Sequence, residues 1–110
     1  CTVNFRFTDI LRGYIAQRLA WDANLSLGFK GPTVYQLRNQ HDLMDDLKDE
    51  YLMYCQLENL LDILNKIKLV GISKIDWMMQ IYEKLSYEGI VKSNEVDILG
   101  YWLEDLISFY

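Results

Sequence analysis

From Leu43 to the end of the chain, apolar residues recur every three or four positions. That period commits more than half of the 110 residues to helices, each packed through a single stripe. Leu43, Leu47, Tyr54, Leu57, Leu61, Leu64 and Ile67 predict one long amphipathic helix that starts at Asp42 and ends before Gly71. Ser73, with Asp76 three residues on, resembles a capping box and opens a second helix, with Ile75, Met78, Met79, Tyr82 and Leu85 inside and Gly89 as its stop. Ser93 is the expected cap of a last helix that turns Val96, Leu99, Trp102, Leu103, Leu106 and Ile107 inward. Glu95 and Asp97 suit the positive end of that helix's dipole.

The first forty residues read differently. Val3, Phe5 and Phe7 alternate with Asn4 and Arg6, which predicts a half-buried strand over Thr2 to Phe7. Thr8 or Asp9 would cap a helix running to about Asn24. Leu25 to Phe29 and Thr33 to Leu37 read as extended stretches around the turn Lys30-Gly31-Pro32. The expected fold is therefore α+β and mainly helical, a single domain or fragment. A strand-helix-strand segment occupies residues 1–40 and about three packed helices occupy 41–110.

Composition excludes several functions. With 11 basic and 16 acidic residues the net charge is -5, which disfavours a nucleic-acid partner, whose binding needs a basic surface. No apolar run reaches the roughly 18 residues a membrane span needs. Cys1 and Cys55 cannot build a disulfide framework, and the expectation is two unpaired thiols. An opening without Met, already patterned like the middle of an element, reads as part of something longer. No targeting segment indicates a compartment, and a cytoplasmic one stays open.

Candidate chemistry concentrates between Phe5 and Trp21, where a strand leading into a helix would put its junction residues at a sheet edge. At 100° per residue, Asp9, Arg12, Gly13, Ala16 and Ala20 share one face and Leu11, Ile15 and Leu19 the other. The first face is polar at its start and small along the rest, so a backbone or a ligand could lie against it. Asp9 beside Arg12 could orient a hydroxyl or act as a base; the plainer reading, favoured on the residues alone, is a capping Asp in an ion pair with Arg12. His41, the single histidine, could carry a proton or bind a metal, or simply stand in a turn before a helix that Asp42 caps. The run Asp45-Asp46-Lys48-Asp49-Glu50 reads as a solvated face, with contact to a basic partner as the alternative. The tryptophans and tyrosines could stack on carbohydrate, but most fall on or beside inner stripes and are assigned to packing. Glycine-rich phosphate loops, a nucleophile elbow and Cys-x-x-Cys pairs are absent from the sequence.

Phe5-Arg6, Asp9-Ile10, Arg12-Gly13-Tyr14, Ala16-Gln17-Arg18-Leu19 and Trp21, followed by Gly31-Pro32-Thr33-Val34, resemble the central signature of the STELLO family of Golgi glycosyltransferase-like proteins. Tyr87-Glu88-Gly89 and Tyr101-Trp102-Leu103-Glu104-Asp105-Leu106-Ile107 resemble that family's closing helices more loosely. The resemblance implies the C-terminal, acceptor-side portion of a luminal GT-A-like domain, with the nucleotide-binding half and its Asp-x-Asp motif outside this chain. It implies a nucleotide-sugar donor, a glycan acceptor and a divalent cation, Mn or Mg. Asp9 would be the catalytic base, Arg6, Arg12 and Gln17 substrate contacts, and His41 a metal ligand. Plant members place a His directly after Pro-Thr-Val, where Tyr35 stands here. The expected function is thus part of a retaining or inverting, metal-dependent glycosyltransferase; the alternative is a non-catalytic helical module that binds a protein partner.

Overall fold

The computed structural model describes residues 3–37, 40 and 42–109. It consists of four helices: α1 (Phe5–Asp22), α2 (Leu43–Lys66), α3 (Lys74–Tyr87) and α4 (Ser93–Ser108). The expected α+β class is wrong, since no strand occurs among the described residues. Of the expected Thr2 to Phe7 strand, Thr2 lies outside the described residues and Phe5 to Phe7 form the first turn of α1, for a local reason. Asn4, not Thr8 or Asp9, is the N-cap, and its side-chain oxygen accepts from the Arg6 amide at 3.0 Å. Phe7 is the member of the alternating set that also begins a four-residue series, Phe7, Leu11 and Ile15, all three buried in the core. With no second strand to pair with, the helical period prevails. The stretches Leu25 to Phe29 and Thr33 to Leu37 are likewise irregular and exposed.

Helix ends follow capping chemistry. Asn24, at φ 56°, closes α1 in the left-handed region, and the Leu25 amide returns to the Ala20 carbonyl at 2.8 Å. Gly89, at φ 75°, closes α3 in the same way, with the Ile90 amide on the Leu85 carbonyl at 2.8 Å and both of those side chains buried. Asp42 caps α2 and Ser73 caps α3 as expected, whereas α4 starts after Lys92 with no side-chain cap. The stripe predicted for the long helix is rotated: Met53, Leu60, Ile63 and Leu64 are buried, while Leu43, Leu47 and Tyr54 face outward.

Helix α3 is central. It packs against α1, α2 and α4, and α1 packs against α2, but among the described residues α1 and α4 do not pack against each other. Two polar ties hold α1 to α2. At one end Arg6 pairs with Asp46, Asp49 and Glu50, so the acidic run meets a basic group of its own chain. At the other, Arg18 donates through Nε to the Leu64 carbonyl at 2.6 Å and through Nη2 to the Ile67 carbonyl at 3.0 Å, while Nη1 bonds Asp22. The side chain of Arg18 thus satisfies carbonyls that the last turn of α2 leaves open. The link into α3 is fixed by Gln80, which bonds both backbone groups of Val70, and by Trp77, whose indole donates to the Gly71 carbonyl at 2.9 Å. Cys55 is an exposed free thiol; Cys1 and His41 lie outside the described residues.

Arg18→Ala removes charge-assisted bonds from a partly buried site and should cost about 2–3 kcal/mol, since the Leu64 and Ile67 carbonyls lose their donor. A fall of several degrees in Tm by circular dichroism is expected; an unchanged Tm would show that water replaces the guanidinium at no cost.

Candidate functional site

Because α1 and α4 flank α3 without meeting, a trough runs between them with α3 as its floor, enclosing about 550 Å³. That size suits a small organic ligand, and its make-up resembles ligand sites generally, an apolar lining with a few converging polar groups. The α1 wall is one stripe of positions i, i+3, i+4 and i+7, namely Arg12, Ile15, Ala16 and Leu19. The α4 wall repeats the spacing with Glu95, Ile98, Leu99 and Trp102, and α3 supplies Met78 and Tyr82.

The polar groups gather at one end. The Tyr82 hydroxyl lies within electrostatic reach of both the Arg12 guanidinium and the Glu95 carboxyl group. Arg12 and Glu95 each begin their helix's stripe, so Leu19 and Trp102, two turns further along, lie toward the opposite, apolar end; seven residues of helix separate the two ends by about 10 Å. Glu95 is only 6% exposed, whereas Trp102 is 51% exposed and forms part of the rim. Burial pushes the Tyr82 hydroxyl above its ordinary pKa of 10.0; Glu95 adds to the rise and Arg12 opposes it. Tyr82 is therefore a neutral donor at physiological pH.

The residues singled out from the sequence are distributed unevenly around this trough. Arg12 and Ala16 line it, as the small polar face of α1 suggested, but so do Ile15 and Leu19, which the sequence placed on the opposite side; Leu19, seven residues on, falls only about 20° from Arg12 around the helix. Asp9 is exposed one turn before Arg12 on the same side of α1. Arg6 is engaged by the α2 carboxylates and does not line the trough. Gln17 lines a smaller hollow of about 220 Å³ between α1 and α2, with Trp21, Leu61 and Asn65. His41 lies outside the described residues. Among those residues no three His, Cys, Asp or Glu side chains converge, so the donor set for the cation expected from the resemblance is not assembled by them. Contributors on α4 are not expected from the sequence as site residues, Ile98, Glu95 and Trp102 among them. Glu95 was assigned to the helix dipole and Trp102 to the core, because spacing along one helix does not tell which neighbour that helix lacks.

Tyr82 gives this site a pH signature. Its pKa is raised in the folded state, so between pH 10 and that higher value the unfolded chain releases a proton the folded one keeps, and stability falls as pH rises. Tyr51 and Tyr54 are shifted in the same direction, by Cys55 and Glu50 respectively, so a comparison with Tyr82→Phe isolates the buried group. The variant should lose stability less steeply than wild type above about pH 10 in chemical denaturation; identical slopes would mean that Tyr82 titrates like a free tyrosine.

No curated protein matches the chain, and neither does any solved structure. The family model of the STELLO glycosyltransferases matches residues 6–110, from the first turn of α1 through α4 and therefore every wall of the trough. The chain belongs to the STELLO glycosyltransferase family.

Proposed function

We propose that this chain is the acceptor-side portion of a Golgi glycosyltransferase that moves a sugar from a nucleotide-sugar donor to a hydroxyl-bearing acceptor, the donor nucleotide being held elsewhere in the protein. The trough between α1 and α4 carries this reading, because its polar end lies one turn from the exposed carboxylate of Asp9.

In the proposed reaction an acceptor hydroxyl attacks the anomeric carbon of the donor. A glycosidic C–O bond forms, the bond from that carbon to the diphosphate breaks, and the nucleoside diphosphate departs as an anion. Asp9 takes the hydroxyl proton, and its exposure leaves it open to a substrate arriving at the mouth of the trough. Arg12 contributes positive charge where the acceptor oxygen or the departing phosphate develops negative charge. Gln17 and Arg6 remain candidate contacts outside the trough, and His41 the candidate cation ligand. A divalent cation would neutralise charge on the leaving diphosphate, and its remaining ligands would come from outside the described residues.

A second reading, a protein-interaction module, is favoured by one observation. Phe29, Val34, Tyr35 and Leu37 in the segment before α2, with Leu43, Met44 and Tyr51 on α2 itself, are large, apolar and more than half exposed. Binding of a uridine nucleotide with Mn or Mg by the full-length protein would favour transfer, and binding of neither would favour the module.

Asp9→Asn in the full-length protein should lower transfer by about a hundredfold or more. Because Asp9 is exposed, Tm should stay within about a degree or two of wild type. A variant that retains activity, or one that unfolds, defeats the assignment of Asp9 as the base.

A further inference from the structure

We infer that the trough between α1 and α4 binds an amphiphile with an apolar body and an uncharged, hydroxyl-bearing head group, the head at Arg12, Tyr82 and Glu95 and the body along Leu19, Met78 and Trp102. This rests on the acceptor-side reading above and narrows it to a substrate class.

The argument starts from the division of the trough into two ends. A free, fully hydroxylated glycan would bury hydroxyls against Leu19, Met78 and Leu99 with nothing there to bond them, which is unfavourable for each group so placed. A wholly apolar ligand would cover the exposed Arg12 guanidinium and take away the water it bonds, the same loss at the other end. A molecule that is apolar over about 10 Å and polar at one tip satisfies both ends, given the rise of 1.5 Å per residue between Arg12 and Leu19.

The chemistry of the tip follows from the three polar side chains. Arg12 and Tyr82 donate, and the Glu95 carboxyl group accepts. A hydroxyl is the small neutral group that can accept from the first two while donating to the third. A carboxylate offers about four acceptor positions, so Glu95 can receive a ligand hydroxyl while keeping its contacts within the protein. An anionic head would gain Arg12 but would also be brought up against Glu95, so a neutral head fits the pair better. Trp102, half exposed at the rim, presents a flat apolar surface to the body of the ligand. The same placement puts the head group next to Asp9, one turn along α1, where a hydroxyl must arrive to be deprotonated.

The test is calorimetric titration of the full-length protein, without nucleotide, using n-octyl β-glucoside below its micellar concentration, with glucose and octanoate as comparisons. The glucoside should bind at least about tenfold more tightly than either comparison, because neither of those satisfies both ends. Trp102→Ala and Glu95→Gln should each weaken it by about fivefold or more. Ala16→Trp fills the trough from an exposed helix position without removing any contact, so it should abolish binding while Tm is kept, even if Trp102→Ala proves unstable.

Octanoate binding as tightly as the glucoside would overturn the neutral head group, and glucose doing so would overturn the apolar body. Glucoside binding that survives Ala16→Trp, or no binding of any of the three, would overturn the site itself. Because no nucleotide is present, the outcome is separable from the transfer reading. Binding without transfer activity would count against the transferase alone, and transfer without binding would count against this site alone.

Discussion

Arg18 joins the two longest helices by a bond set that neither could supply alone. A helix of 24 residues such as α2 ends with carbonyls that have no partner, and in the interior of a small bundle water is a poor substitute. Arg18 reaches across from α1 with two of its donors for the Leu64 and Ile67 carbonyls and a third for Asp22 on its own helix, which holds the guanidinium in place. At the other end of the same helix pair, Arg6 among Asp46, Asp49 and Glu50 adds weaker, partly solvated pairing of the kind worth a few tenths of a kcal/mol to about 1 kcal/mol per pair. Between these ties Phe7, Leu11 and Ile15 join Leu60 and Leu64 in one apolar core. The α1–α2 pair is therefore held at both ends as well as along its middle, and it provides a firm bed for α3.

The trough is a by-product of that arrangement. Once α3 is seated on the pair, α4 can follow only by folding back across the Gly89 turn, and it packs on α3 at a distance from α1. The residues that would have closed the gap are small or polar on the α1 side, Ala16 and Arg12, and the gap stays open. Ile98 and Trp102 remain half exposed for the same reason, although their spacing along α4 is that of a core stripe. The family match spans all of these elements and fits the reading that they act as a unit.

Much of this was legible where local chemistry decides the outcome. Asp42, Ser73 and Gly89 mark helix ends by capping and by the left-handed turn, and Leu11 and Ile15 of α1 were placed correctly in the core, although Ile15 and Leu19 also line the trough beside Arg12 and Ala16. The start of α1 was not legible, because Val3, Phe5 and Phe7 satisfy a period of two as well as Phe7, Leu11 and Ile15 satisfy a period near four, and only the absence of a partner strand decides between them. In α2 the apolar residues of the first half, Leu43, Met44, Leu47, Tyr51, Leu52 and Met53, nearly encircle the helix, so spacing could not reveal which stripe would be buried. The α4 wall of the trough was missed for a different reason. Glu95 and Trp102 acquire their positions from a neighbour that α4 does not have, and a sequence records periodicity within an element but not the vacancy beside it.

That α4 packs on one helix alone makes it an arm rather than a strut. Its anchorage is the α3 interface, where Leu99 and Leu103 enter the common core, and the short turn at Gly89, whereas α1 and α2 are joined to each other through Arg18 and Arg6. Any molecule that touches α1 and α4 together would add the bracing strut that the chain itself lacks. Occupancy of the trough would then be felt along the whole length of the arm, out to the far end of α4 at Ser108, well beyond the atoms in contact.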